Sequence, residues 1–195
     1  MQGIVIDKEK HFVGHGKERD CYAHPEKPEI AVKINHSKEN KQTRREIGFY
    51  RSLRWRKKLS FERIPRYYGR INTNLGPGHM FDLIRDYNGE VSKSLLWYLE
   101  SGLALDQFEE DLDKLKEYFL EQELIFNHDM YAGNLLFKKD SETDGKLVVI
   151  DGLGDTVFIK FLNMFSTHRI SKIERRWELF INRLRKRAAK MQASR

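Results

Sequence analysis

Cysteine is almost missing from this chain, and the lone Cys21 excludes an intramolecular disulfide and disfavours a zinc site built on thiolates. Proline is scarce, with four in 195 residues, and no long Gly/Ser-rich tract occurs, which argues against flexible linkers between separate domains. No internal repeat is visible, and no apolar run approaches the roughly 18 residues that a membrane span needs. The opening MQGIVIDKEK lacks the apolar stretch of a signal peptide, so the expected location is the cytoplasm. What the chain does have is core-forming material: 39% hydrophobic residues, with twelve Phe, eight Tyr and three Trp. That suits one compact domain or two small lobes sharing a core, and excludes a disordered polar tail.

Charge is unevenly distributed. The formal net charge is +7, yet residues 41–70 hold eleven Lys/Arg against two acids, residues 100–123 nine acids against two Lys, and residues 169–195 ten Lys/Arg against two acids. Two basic blocks thus bracket an acidic one. The basic helices read as solvated faces or, more sharply, as anion-contacting surfaces for nucleic acid, an anionic membrane or a phosphosugar. No recognised nucleic-acid motif accompanies the charge, so no specific nucleic acid is expected as a partner.

Periodicity gives the order of elements. VIDKEKHFVGHGKERDCYAHP reads as strand, glycine turn and strand, and PEIAVKIN as a third strand between Pro28 and Asn35. Lys38 to Leu59 reads as a helix with Ile47, Tyr50, Leu53 and Leu59 on its apolar stripe. IPRYYGRI and HMFDLIRDY are strand-like runs around a turn rich in Asn, Gly and Pro. Ser92 is placed to cap a short helix through Leu99, and Asp106 a longer one carrying Phe108, Leu112, Leu115, Phe119 and Leu120. NLLF and KLVVID form a hairpin around DSETDG, and a helix begins near Ser171 with Ile173, Trp177, Phe180, Ile181 and Leu184 on one side.

The chemistry-bearing segment is Asn127-His128-Asp129-Met130-Tyr131-Ala132-Gly133-Asn134, followed by Val148-Val149-Ile150-Asp151-Gly152. An Asp and an Asn five apart in a loop, with a second Asp seventeen residues past the Asn, can converge on one cation. Phosphoryl transfer uses such a set, the Asn and one Asp giving hard oxygens to Mg²⁺ and the other Asp orienting an attacking hydroxyl. Taken singly, each signal has a plainer reading. Asp129, Asn134 and Asp151 suit turn-forming residues around a hairpin, Gly14 and Gly16 a bare β-turn, Lys33 a solvated strand position, and Glu46 a helix-surface partner of Arg44 or Arg45. The glycine pair is not a Walker loop, and the strand after it disfavours a dinucleotide fingerprint. His11 and His15 are four apart but fall across a strand and a turn, so a metal shared between them is not expected.

In combination these residues resemble the protein-kinase-like superfamily, especially its aminoglycoside phosphotransferase and lipopolysaccharide-kinase branches. Gly14-His15-Gly16-Lys17-Glu18-Arg19-Asp20-Cys21-Tyr22 sits where that superfamily has its glycine-rich loop. Ile30-Ala31-Val32-Lys33-Ile34 is similar to its third strand with the phosphate-contacting lysine, and Glu46, thirteen residues on, matches the lysine-orienting glutamate. The short length and the IDGLGD sequence resemble, more narrowly, the YrbL family of bacterial proteins associated with the PhoP regulatory network. Departures exist: Asn127 stands two positions before Asp129 where a His is usual, Gly152 follows Asp151 in place of Phe, and only 44 residues come after Asp151.

The resemblance implies an α+β, reduced two-lobed protein-kinase-like fold, with a β-rich N-lobe at 1–86 and a truncated helical C-lobe at 87–195. It implies ATP beneath Gly14 and Gly16, Lys33 on the phosphates with Glu46 holding it, Asn134 and Asp151 as ligands of Mg²⁺, and Asp129 as the catalytic Asp. The expected activity is phosphotransfer from ATP to a small-molecule or membrane-displayed hydroxyl acceptor. The runner-up is a pseudokinase-type binding or regulatory scaffold that takes nucleotide without turnover.

Overall fold

The computed structural model describes residues 3–37, 41–53, 56, 59–128, 130–154 and 166–193. Within them the chain is α+β. Strands β1 (Phe12–His15), β2 (Arg19–Ala23), β3 (Ile30–Asn35), β4 (Tyr67–Thr73) and β5 (Gly76–Asp82) make a five-stranded antiparallel sheet in the order β1-β2-β3-β5-β4. Helix α1 (Lys41–Leu53) lies between β3 and β4 in the chain. Then come β6 (Lys93–Ser94), α2 (Leu95–Glu100), α3 (Glu109–Glu121), β7 (Leu135–Lys139), β8 (Gly145–Val149) and α4 (Ser166–Ala193). Strands β6, β7 and β8 form a second, three-stranded sheet.

Strand parity explains how β3 serves two environments. Val32 and Ile34 pack with Ile6 and Tyr22 in a small cluster on one face of the sheet. Lys33, of opposite parity, turns to the other face, where its ammonium lies 4.5 Å from the centroid of the buried Phe81 ring. Phe81 belongs to the main core, which gathers Ile47, Tyr50 and Leu53 from α1, Leu115 and Phe119 from α3, Leu147 and Val149 from β8, and Trp177 and Phe180 from α4. One apolar core therefore runs from the large sheet to the C-terminal helix.

Several boundaries differ from the sequence reading. Ser94, not Ser92, caps α2, its hydroxyl accepting from the Trp97 N–H, while Ser92 donates to Asp86 at 2.5 Å. Asp106 caps nothing through its side chain: it sits inside a 3₁₀ turn, Leu105–Phe108, that leads directly into α3. Gly76, Pro77 and Gly78 lie within β5, leaving Asn74 and Leu75 to make the turn. Helix α1 ends at Leu53 among the described residues: Arg56 is not helical, its N–H donates to the Leu53 carbonyl at 2.9 Å, and Leu59 packs on the core from outside the helix. Residues 38–40, 54–55 and 57–58 of the expected helix lie outside the described residues. In the C-terminal region, α4 starts by Ser166 rather than near Ser171.

The alternating charge blocks find a use in the pairing of α3 with α4. Arg185 meets Glu109 at 3.1 Å at one end of α3, and Arg169 meets Glu123, just past the other end, at 2.7 Å. Both pairs are partly or fully solvated, so each contributes on the order of 1 kcal/mol or less. The buried stripe of Trp177, Phe180 and Leu184 does the larger share of holding the helices together. No helix among the described residues is long and apolar enough to cross a membrane.

Candidate functional site

The site lies where the inner face of the large sheet meets the middle of α1 and the end of β8. Lys33 projects from β3, and its Nζ donates to Glu46 Oε1 at 3.1 Å and to the Ile150 carbonyl at 2.7 Å. Glu46 is buried, at 2% exposure, and its other carboxylate oxygen accepts from Arg19 Nη1. Arg19 in turn reaches Asp151 Oδ2 through Nη2 at 2.9 Å. The four charges thus form a chain of alternating sign, Lys33, Glu46, Arg19 and Asp151, drawn from β3, α1, β2 and the segment after β8. Burial alone would favour loss of the Arg19 charge, but Glu46 and Asp151 outweigh it and hold the guanidinium more firmly protonated than usual.

Arg19 is the residue that the sequence reading missed. Its signal lay in parity and register: Cys21 stands opposite Lys33 in the β2–β3 pairing, so Arg19, two residues earlier in β2, shares the Lys33 face. Glu46 points inward to Lys33 and Arg19 instead of serving only as a surface partner of Arg44 or Arg45.

Asp151 and Asn134 are brought together by backbone zipping between two loops. Phe126 bridges Leu153, the Asn127 N–H donates to the Gly152 carbonyl at 2.6 Å, and the Ile150 N–H donates to the Asn134 carbonyl at 3.0 Å. Asn134 ends a 3₁₀ turn, Ala132–Asn134, and a side chain at position 152 would find its Nδ2 3.6 Å away. Gly152 has a φ of +82°, in the left-handed region that favours glycine, and its N–H donates to Asp151 Oδ1 at 2.7 Å. A residue of the Phe type here would be strained, which gives the departure at Gly152 a backbone reason. Arg176 and Arg183 of α4 donate to the carbonyls of Phe126 and His128, so the C-terminal helix fixes the stem of the same loop. Asp129 itself lies outside the described residues.

Gly14 and Gly16 frame the β1–β2 turn, and only Gly16 has a steric reason to be glycine. A Cβ on Gly16 would lie 2.8 Å from the Arg19 carbonyl oxygen, because the Gly16 N–H donates to that oxygen at 2.8 Å to close the hairpin. A Cβ on Gly14 meets nothing within 4 Å. Gly16→Ala is therefore expected to cost roughly 1–3 kcal/mol, lowering Tm by about 2–12 °C. Gly14→Ala should stay within about 2 °C of the parent in the same melts. Equal losses from both would contradict the hairpin-closure role of Gly16.

Chemically, the arrangement offers a partly buried ammonium, a carboxylate and a neighbouring amide in one place. A carboxylate and an amide oxygen are the hard donors that Mg²⁺ takes, so Asp151 and Asn134 fit that ion by type. Arg19 already lends a positive charge to Asp151, and any cation there shares the carboxylate with it. The family described as PhoP regulatory network protein YrbL matches residues 5–185. The chain belongs to the YrbL family. It is 31% identical over 182 residues to YrbL of Escherichia coli (strain K12), covering 89% of this chain and 84% of that protein. YrbL of Shigella flexneri gives the same identity and coverage. Membership of the YrbL family links the chain to the PhoP regulatory network.

Proposed function

We propose that this YrbL-family chain is a kinase-like phosphotransferase, using ATP and Mg²⁺ to phosphorylate a small-molecule or membrane-displayed hydroxyl in a PhoP-linked bacterial context. The observation that carries this reading is Lys33 Nζ bound at once to Glu46 and to the Ile150 carbonyl, one residue before Asp151. A β3 lysine paired with a glutamate of the following helix, beside a metal-binding Asp, is the arrangement through which kinases hold nucleotide phosphates. The sheet order and the helix between β3 and β4 support a reduced two-lobed form of that fold, divided near residue 86.

In this reading Lys33 contacts the phosphates, Glu46 and the Ile150 carbonyl fix its position, and the turn at Gly14 and Gly16 covers the nucleotide. Asn134 and Asp151 hold Mg²⁺, which would neutralise the charge that develops on the transferred phosphoryl group. Asp129 orients the acceptor hydroxyl. The four-charge chain is neutral in sum, so the divalent ion supplies the net attraction for a triphosphate. Lys186 and Arg187, exposed on α4, offer a basic face to an anionic acceptor or membrane.

Thermal stability with and without Mg²⁺-ATP tests the nucleotide site. A ligand at 100 times its Kd adds about 2.7 kcal/mol, or roughly 5–10 °C of Tm for a chain of this size. The expected result is a metal-dependent shift of that order, absent in Lys33→Ala. No shift at millimolar Mg²⁺-ATP would sink the reading. A second reading, a regulatory scaffold that binds nucleotide without turnover, is favoured by Arg19 on Asp151, since that guanidinium competes with the metal for the carboxylate. ADP formation that disappears in Asp129→Ala selects the enzyme; a thermal shift with no ADP formation selects the scaffold.

A further inference from the structure

We propose that His15, Asp20 and His36 form a binding site for a divalent transition metal of the zinc type, distinct from the pair Asn134 and Asp151. His15 Nδ1 lies 2.7 Å from Asp20 Oδ1, and His36 Nε2 lies 3.0 Å from that same oxygen. One ligand atom from each of the three falls within 4.8 Å of the other two. A tetrahedral ion with bonds of about 2.0–2.1 Å holds its donors roughly 3.3 Å apart, so small side-chain rotations open this cluster to metal distances.

The backbone places all three residues. His15 and Asp20 are register partners across the β1–β2 hairpin, which the Gly16 N–H to Arg19 carbonyl bond closes. His36 follows the end of β3 and is pinned by its own N–H, which donates to the Glu18 carbonyl at 3.0 Å. The two imidazoles stack at 5.1 Å between centroids with 19° between planes, which brings a nitrogen of each to the same carboxylate. Asp20's other oxygen faces the Tyr22 hydroxyl at 3.5 Å, a neighbour able to orient the carboxylate.

Donor type sets the class of ion. Two imidazoles and one carboxylate favour zinc and its neighbours over Mg²⁺ or Ca²⁺, which prefer oxygen alone. Three protein ligands leave a coordination position for water or an incoming anion, and the His15 side chain, 71% exposed, stands at the solvent side. The sequence hides the site because its members are five and sixteen positions apart, on two strands and just past the end of a third; the i, i+4 pair His11 and His15 draws attention instead. His11 is occupied locally, its Nδ1 accepting from the Asp7 N–H at 3.0 Å.

The test is a titration of the full chain, stripped with chelator, with Co²⁺ followed by visible absorption and with Zn²⁺ followed by calorimetry. One equivalent is expected to bind with the intense bands of low-coordinate Co²⁺. His15→Ala and His36→Ala, each at a solvent-accessible position, should weaken binding by about 100-fold or more, beyond the roughly 10–100-fold lost with an outer-shell partner. Asp151→Asn should leave it in place. Binding retained in both histidine variants, binding lost only in Asp151→Asn, or no binding below millimolar Co²⁺ would each overturn the proposal.

Discussion

Glu46→Ala is expected to lower Tm by about 6–12 °C, the largest stability loss of any single polar substitution proposed for this chain. The side chains of Arg19, Lys33 and Glu46 are 7%, 12% and 3% exposed, so removing the carboxylate leaves two cations facing each other out of water. Breaking a buried pair by deleting one partner costs about 3–5 kcal/mol. The lower end applies because Arg19 keeps Asp151 and Lys33 keeps the Ile150 carbonyl. At about 2–4 °C per kcal/mol for a chain of this size, 3 kcal/mol gives the stated drop. Glu62→Ala supplies the control: Glu62 is 57% exposed and reaches Lys146 only at 3.6 Å, so its melt should move by no more than about 2 °C. A Glu46→Ala melt as small as the control's would mean that the charges are not held as a buried chain.

The strands and helices were legible because each carries one strong period. Val32 and Ile34 against Lys33, and Ile47, Tyr50 and Leu53 along α1, encode their own faces. Caps were less legible, since Ser92 and Ser94 are both good capping residues and the choice depends on Asp86, which draws the Ser92 hydroxyl away. Asp106 failed as a cap for a related reason: the chain enters α3 through a 3₁₀ turn, so the residue that looks like a helix start lies one turn too early. The spacing of Asn134 and Asp151 suggested convergence on a cation, and what the structure adds is a backbone bond from the Ile150 N–H to the Asn134 carbonyl, which makes their two segments neighbours.

Arg19 and the His15, Asp20, His36 cluster were illegible for a common physical reason. Each depends on which residues stand opposite one another in a hairpin, and a single sequence does not state the register. Once His15 is paired with Asp20, and Cys21 with Lys33, both follow from the two-residue alternation of side chains. Consecutive residues of β2 then divide between two sites: Arg19 turns inward to Glu46 and Asp151, and Asp20 turns outward to the histidines.

Asp151→Asn is expected to weaken Mg²⁺-ATP binding by about 100-fold while leaving the fold intact, the largest functional effect the site predicts. A residue that merely orients a metal ligand is worth roughly 10–100-fold in affinity, and a charged ligand sits at or above the upper end of that range. Folding should tolerate the change because Arg19 retains Glu46, and the asparagine oxygen still accepts from the Gly152 N–H. The loss should depend on the metal: affinity for ATP measured in chelator should be alike in parent and variant. Arg19→Met gives the reciprocal result. With the guanidinium gone, Asp151 no longer shares its carboxylate, and the Mg²⁺ concentration needed for half-maximal nucleotide binding should fall, by about tenfold if the charge-assisted bond contributes about 1.4 kcal/mol in competition. Calorimetric titrations across a Mg²⁺ series measure both. Equal Mg²⁺-ATP affinity in Asp151→Asn would remove that residue as the metal ligand, and an unchanged Mg²⁺ requirement in Arg19→Met would mean that the arginine and the metal do not compete for the same oxygen.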